Sequence, residues 1–397
     1  MATLSHIDPQ IKANPSAFET AKTVAAALEE TAIERDKLGG TAYNERNIIR
    51  QSGLLSLIVP KNLGGIGEDW TSVMQIVRLF ASVDSSMAHL FGFQHLILAS
   101  IELYGSEDQR DYYFAKTASE NIFWGNALNP LDKGTQVTLE NDDYIFNGSK
   151  GFCSGATDSD MLLVSGFLNN KLVIGVTPSN SKGIQINQDW NNFGQRQTDS
   201  GSVKFDALRI PSENMLLVPG PMGDVRSTLR SSIAQLILTH IYLGLAEGAF
   251  NEAKKYTSAQ TRAWHNSGVS SASEDPFILK RYGEMFLSLQ SSIKLSEMAI
   301  NSLQQSWDLG QKLTEKQRGR TAIDIALAKV QSSETGLKIC SEMFDVTGSR
   351  ATNGFARLDR FWRNIRTHSL HDPSDYKLKE LGDFALNGAI PNPGFYS

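Results

Sequence analysis

The segment Thr367-His-Ser-Leu-His371 sets two imidazoles three residues apart, on one face of a helix or turn. Near neutral pH such a pair can donate hydrogen bonds or protons, and a structural role is about equally compatible with it. Asp372 is the one further ligand type beside them, too few for a tetrahedral metal site, so no metal is expected. Arg357, Arg360, Arg363 and Arg366 recur every third residue just before the histidines. They fit a solvated basic face or intersubunit salt bridges, or a cradle for the phosphate of a small anionic cofactor. The run Gly194-Gln-Arg-Gln-Thr-Asp-Ser-Gly-Ser202 is dense in hydroxyls and amides. It suits an ordinary loop, or contact with a hydrogen-bonding heteroaromatic ring on which Trp190 could stack.

Other motifs carry less. Gly64-Gly65-Ile66-Gly67 lacks the full dinucleotide fingerprint and its βαβ setting, so it reads as a turn. Asn147-Gly148 reads as a strand-end turn. Cys153 has no nearby histidine to activate it and reads as a small buried hydrophobe. No P-loop, zincin motif or hydrolase elbow is present.

These residues sit in a chain of 397 residues, too long for one core and suited to two or three segments. With 41% hydrophobic and 20% charged residues the composition is globular, and a net charge of −5 argues against a general nucleic-acid binder. Two distant cysteines, Cys153 and Cys340, point to a reducing compartment. Residues 1–9 show neither the basic nor the apolar part of a secretory leader, and no 18-residue apolar run occurs, so a cytoplasmic protein without a membrane span is expected. Apolar spacing predicts helices over 17–38, 43–53, 71–81, 85–103 and 107–119. Alternation predicts strands over 137–139, 144–146, 161–167, 171–176, 183–187 and 202–205, an antiparallel β region. Long helices follow over 227–258, 276–307 and 314–346. The predicted organisation is α+β: a helical domain (1–122), a central antiparallel β domain (123–222) and a C-terminal four-helix bundle with a docking tail (223–397).

The helical–β–helical order, with Ile58-Val-Pro-Lys-Asn-Leu-Gly-Gly-Ile-Gly67, resembles the acyl-CoA dehydrogenase fold over essentially the whole chain. Finer segments resemble the dibenzothiophene monooxygenases: Ala88-His-Leu-Phe-Gly92, Gly125-Asn-Ala127, Asn147-Gly-Ser-Lys-Gly-Phe-Cys-Ser-Gly155, Arg196-Gln-Thr-Asp-Ser-Gly-Ser202, Asp359 to Pro373, and the tail Pro393-Gly-Phe-Tyr-Ser397. The resemblance implies a two-component flavin monooxygenase that takes reduced FMN from a separate NAD(P)H:flavin reductase. A C4a-hydroperoxyflavin, formed with molecular oxygen, would oxidise an organosulfur compound, a dibenzothiophene-like thioether, to sulfoxide or sulfone.

Carried over by residue, His371, Ser154, Asn126 and His89 would be the catalytic set. Phe93, Asn126, Ala127, Leu128, Asn129, Trp190, His368, His371 and the stretch Lys150, Gly151, Phe152, Cys153 and Ser154 would line the flavin. Arg262, Ser349 and Arg350 would hold its phosphate and ribitol, across a subunit boundary of a homotetramer. Acyl-CoA dehydrogenases need a carboxylate base, and Thr367–His371 contains none. Phe93 stands where the resembled family has a tyrosine, and the loop 127–134 is shorter than its lid, so the substrate is expected to differ from dibenzothiophene. An acyl-CoA dehydrogenase-like flavoenzyme, a flavin-dependent N- or C-hydroxylase and an inactive oligomeric scaffold are the alternatives.

Overall fold

The computed structural model describes residues 15–397, so the leader reading of residues 1–9 lies outside the described residues. Five helices open the described chain: α1 (Pro15–Leu38), α2 (Tyr43–Gln51), α3 (Trp70–Val83), α4 (Ser85–Tyr104) and α5 (Glu107–Glu120). Asp84 divides α3 from α4. Its carboxylate accepts the backbone N–H groups of Ser86 and Met87, which would otherwise lack partners at a helix start. Ser106 and Gln109 form a capping box that starts α5.

Seven strands follow: β1 (Trp124–Ala127), β2 (Thr135–Glu140), β3 (Asp143–Lys150), β4 (Met161–Leu168), β5 (Lys171–Pro178), β6 (Ile184–Ile186) and β7 (Val203–Pro211). Their order is β1-β4-β2-β3-β7-β6, with β5 on β4. Pairing is antiparallel as expected, except that β1 and β2 each run parallel to β4. The strand β1 escapes the alternation test because both its faces are buried. The reading of Asn147-Gly148 as a strand end is corrected. The pair lies inside β3, where the register against β7 shifts. Gly148 has φ +129, and a Cβ there would meet the Gly134 carbonyl at 2.0 Å, so the bulge requires glycine. Gly64-Gly65-Ile66-Gly67 is a turn, with Gly64 and Gly67 at positive φ.

The last segment holds α6 (Leu229–Ala259), α7 (Pro276–Asp308), α8 (Glu315–Thr347) and two shorter helices packed on α8, α9 (Asp359–His368) and α10 (Ser374–Asn387). One hydrophobic core runs from Ala17 in α1 through α3, α4, α6 and α8 to Ile365 in α9, so the two helical segments are not separate cores. A smaller core fills the sheet around Phe146, Leu162 and Phe205. Residues 226–259 are long and apolar enough to cross a membrane, but 89% of that apolar window is buried inside the chain, as suits a core helix. At Gly92 a Cβ would meet Ile237 Cγ2 at 2.6 Å, so this glycine lets α4 and α6 approach closely beside the site described next.

Candidate functional site

One cavity of about 410 Å³ opens between α4, α6, the β1 end, the 190–200 loop and α9. Its centre is a chain of neutral hydrogen-bonding groups. His89 Nε2 lies 2.9 Å from Ser154 Oγ, and His89 Nδ1 lies 3.1 Å from His368 Nε2. Ser154 Oγ is 2.7 Å from Ser200 Oγ, which donates to Thr198 Oγ1 at 2.8 Å. Phe93, one turn along α4, stacks on the His89 ring at 4.0 Å between centroids. Burial pushes His89 down to about 3, with His371 adding to the effect, and drives His368 well below the usual imidazole range. Both rings are therefore neutral at physiological pH and can pass or hold a proton without acting as strong bases.

His371 stands differently. Its side chain is 34% exposed, and its Nδ1 lies 3.0 Å from Asp372 Oδ1. Lys329 of α8 reaches across to both Asp372 and Gln235. Burial would raise the Asp372 carboxyl, but the His371 hydrogen bond and the Lys329 charge more than offset it and hold the group well below the usual carboxylate range. Tyr242 of α6 donates to the His368 carbonyl at 3.0 Å and fixes the end of α9. The 190–200 loop is docked on the same helix: Asn364 Oδ1 accepts the Gln195 N–H at 2.7 Å, and a Cβ at Gly194 would meet the Arg363 carbonyl at 1.9 Å.

The sequence-based residues fall into three groups. His89, Phe93, Asn126, Leu128, Asn129, Phe152, Ser154, Trp190, His368 and His371 all line the cavity. Ala127, Lys150, Gly151 and Cys153 do not. Ala127 lies in the sheet core. The Lys150 ammonium is held by the carbonyls of Asn129 and Asp132, and the buried Cys153 thiol is pushed up to about 12 by burial, so it stays protonated. Arg262, Ser349 and Arg350 line a separate cavity of about 560 Å³ near the ends of α6 to α8, apart from the first within one chain.

Two of the four arginines of the series form salt bridges within the chain, and a third, Arg360, donates to the Arg357 carbonyl at 3.2 Å. Arg357 and Arg363 both pair with Asp36 of α1, and Arg363 also pairs with Asp359, so neither is a free phosphate ligand. Sequence reasoning missed Arg230, Ala234 and Gln235 of α6 and gave no role to Thr367, Phe395 or Tyr396, all of which line the cavity. The signal for the first three was an arginine amid the apolar first half of α6.

Asn126 Oδ1, Thr367 Oγ1 and His368 Nδ1 are buried without a hydrogen-bond partner among the described residues. Each such atom costs about 1–3 kcal/mol unless something satisfies it. Three orphans on residues that line one cavity, with the Trp190 and Phe152 rings at 5.9 Å from one another on its wall, fit a flat ring that offers both donors and acceptors, as the isoalloxazine of FMN does.

The comparisons agree. Residues 18–121 match the acyl-CoA dehydrogenase N-terminal domain, and residues 236–375 its C-terminal domain. A probable FMNH2-dependent monooxygenase, SfnC, of Pseudomonas putida is 47% identical over 96% of this chain and 97% of its own. The solved methanesulfinate monooxygenase MsuC of Pseudomonas fluorescens is 49% identical, covers 97% of this chain and 100% of its own, and superposes with a TM-score of 0.95. The FMN-bound dibenzothiophene monooxygenase TdsC of Paenibacillus sp. A11-2 is 36% identical, with coverage of 96% and 100% and a TM-score of 0.92. This chain belongs to the FMN-dependent monooxygenases built on the acyl-CoA dehydrogenase fold.

Proposed function

We propose that this monooxygenase uses reduced FMN, delivered by a separate NAD(P)H:flavin reductase, to place one oxygen atom on the sulfur of an organosulfur compound, a thioether-to-sulfoxide conversion being the reaction its resemblance suggests. The observation that carries this reading over dehydrogenation is that, among the described residues, none that lines the cavity is Asp or Glu. Acyl-CoA dehydrogenation needs such a base to take the α-proton, whereas oxygen transfer from reduced flavin needs donors and a dry pocket. Reduced flavin, when bound, supplies the electrons that activate molecular oxygen. The chain's own residues do the rest. Asn126, Thr367 and His368, whose buried polar atoms lack partners, would hold the ring. Ser154 and His89 would supply a neutral donor pair, and His371, held by Asp372, a further imidazole on the cavity lining. Phe93, Leu96 and Leu128 keep water out.

Arg262, Ser349 and Arg350 would then serve the flavin phosphate of a neighbouring copy in a homotetramer. The exposed apolar residues Phe277, Phe286 and Leu287 on α7 support burial of that helix in such an assembly.

The test supplies FMN, a flavin reductase and NADH with a panel of sulfur compounds, and reads the product mass. A gain of one oxygen in the sulfur compound is expected; hydrogen peroxide as the sole product would overturn the reading. Ser154→Ala removes the shared partner of His89 and Ser200, each contact being under 3 Å. It should lower coupled turnover by roughly 10²-fold, as loss of a preorganised donor does, and destabilise the fold by about 1–3 kcal/mol. Coupling assays and thermal denaturation check the two effects.

A further inference from the structure

A second, much smaller cavity of about 20 Å³ lies where α1, the joint between α3 and α4, the 190–200 loop and α9 meet. It shares no lining residue with the first. Arg360 of α9, 8% exposed, and the half-buried Arg196 of the loop both line it. Arg360 Nη1 donates to the Arg357 carbonyl at 3.2 Å, and Arg196 Nη2 to the Lys37 carbonyl at 3.4 Å. The Nε of each is buried with no hydrogen-bond partner among the described residues.

The carboxylates around them are already committed. Burial pulls the Arg360 guanidinium down, against the attraction of Glu252, Asp36, Asp84 and Asp359. None of these four forms an ion pair with it. Asp36 is shared by Arg357 and Arg363, and Asp359 pairs with Arg363. Asp84 accepts from Arg35 and from the N–H groups of Ser86 and Met87, and Glu252 lies 3.9 Å from Lys255. Three guanidiniums therefore line the cavity, those of Arg35, Arg196 and Arg360, against two carboxylates that are both paired elsewhere. A buried guanidinium with an unmet donor is unfavourable for the empty chain.

The chemistry of the gap is one-sided. A guanidinium has donors and no acceptor. Among the lining residues the two Nε–H groups are the buried side-chain atoms left unmet, and every buried acceptor there has a partner. The matching ligand accepts hydrogen bonds, gives none and carries negative charge. A volume of about 20 Å³ holds one particle about the size of a water molecule and excludes a phosphate or a carboxylate.

We propose that this cavity binds a single halide ion, chloride, between Arg196 and Arg360. The ion would clamp the loop to α1 and α9. The loop is already tied to the same elements on either side: the Gln195 N–H donates to Asn364 Oδ1 at 2.7 Å, and Gln197 Oε1 accepts from Arg35 Nη1 at 2.7 Å. The next residues, Thr198 and Ser200, end the hydrogen-bonded chain that starts at His89 and Ser154. The halide thus acts behind the flavin cavity, on the segment that shapes it, and it is independent of which substrate is oxygenated.

The test compares thermal unfolding of the full chain in sodium chloride and in sodium gluconate at equal ionic strength, since gluconate is too large for the cavity. An ion bound to the folded chain stabilises it by mass action, so the wild type should melt on the order of 2–4 °C higher in chloride. Arg196→Gln, at a half-buried loop position, should remove that difference, and so should Arg360→Gln. Where Arg360→Gln fails to fold, Arg196→Gln decides alone. Hydrogen exchange of the amides in 194–202 should slow in chloride for the wild type and not for Arg196→Gln. Crystals soaked in sodium bromide should give an anomalous peak between the two guanidiniums. Equal melting in both salts, an unchanged chloride response in Arg196→Gln, or a water and no bromide at that position would overturn the proposal.

Discussion

His371→Ala should leave FMN binding nearly intact and divert most reducing equivalents to hydrogen peroxide. The imidazole lines the cavity, is partly open to solvent, and is oriented through Nδ1 by Asp372. Its Nε2 has no hydrogen-bond partner among the described residues and is left as a donor or acceptor. Under the proposed function it holds or moves a proton at the reacting oxygen, a role worth roughly 10²–10⁴ in rate for a positioned imidazole. Coupled product should fall by that order while NADH consumption by the reductase continues. The measurement is the ratio of oxygenated product to hydrogen peroxide, with FMN affinity followed by fluorescence. Full coupling in the variant would remove His371 from the mechanism. His89 cannot substitute, because both its ring nitrogens are engaged, Nδ1 with His368 and Nε2 with Ser154.

Lys329→Met should be among the most destabilising single substitutions in this chain. The side chains of Lys329 and Asp372 are 3% and 9% exposed, and Gln235 completes the cluster. Removing one partner of a buried pair strands the other charge, at a cost of about 3–5 kcal/mol. Denaturation of the FMN-free protein measures it. The double variant Lys329→Met with Asp372→Leu should recover much of that loss, because no charge is left buried. The sign with pH follows from the lowered Asp372 carboxyl. Its stabilisation is fully present above the ordinary carboxylate value near ~4 and is lost as pH falls below it toward the folded-state value. Lys329→Met should flatten this acid-side loss, and its activity should fall with the orientation of His371. An unchanged melting temperature would show that the ammonium is not the counter-ion the geometry makes it.

The helices were legible because their apolar stripes repeat at helical spacing and their ends carry caps, as at Asp84 and Ser106. The hairpins β2–β3 and β4–β5 were legible from alternation about short polar turns. β1 was not, since a strand buried on both faces shows no alternation, and the bulge at Gly148 mimicked a turn because both need glycine. The polar run 194–202 and Trp190 were recognised as ring-contacting candidates, and the loop does reach the cavity. The arginines before His368 could not be divided between salt bridge and phosphate, because Asp36 lies more than 300 residues away in sequence.

The residue types were thus decided locally: two histidines on one turn, hydroxyls after β3, and no carboxylate where a dehydrogenase needs one. Which of them meet was decided only by folding. His89, Ser154 and His368 come from three segments, and their contacts exist because α4, the sheet and α9 close on a shared core through Gly92 and Gly194. The same holds for charge. Sequence alone shows an arginine in an apolar helix; tertiary structure shows that nothing in the described chain neutralises it, because burial and the neighbours of Arg230 are long-range properties that no spacing rule encodes.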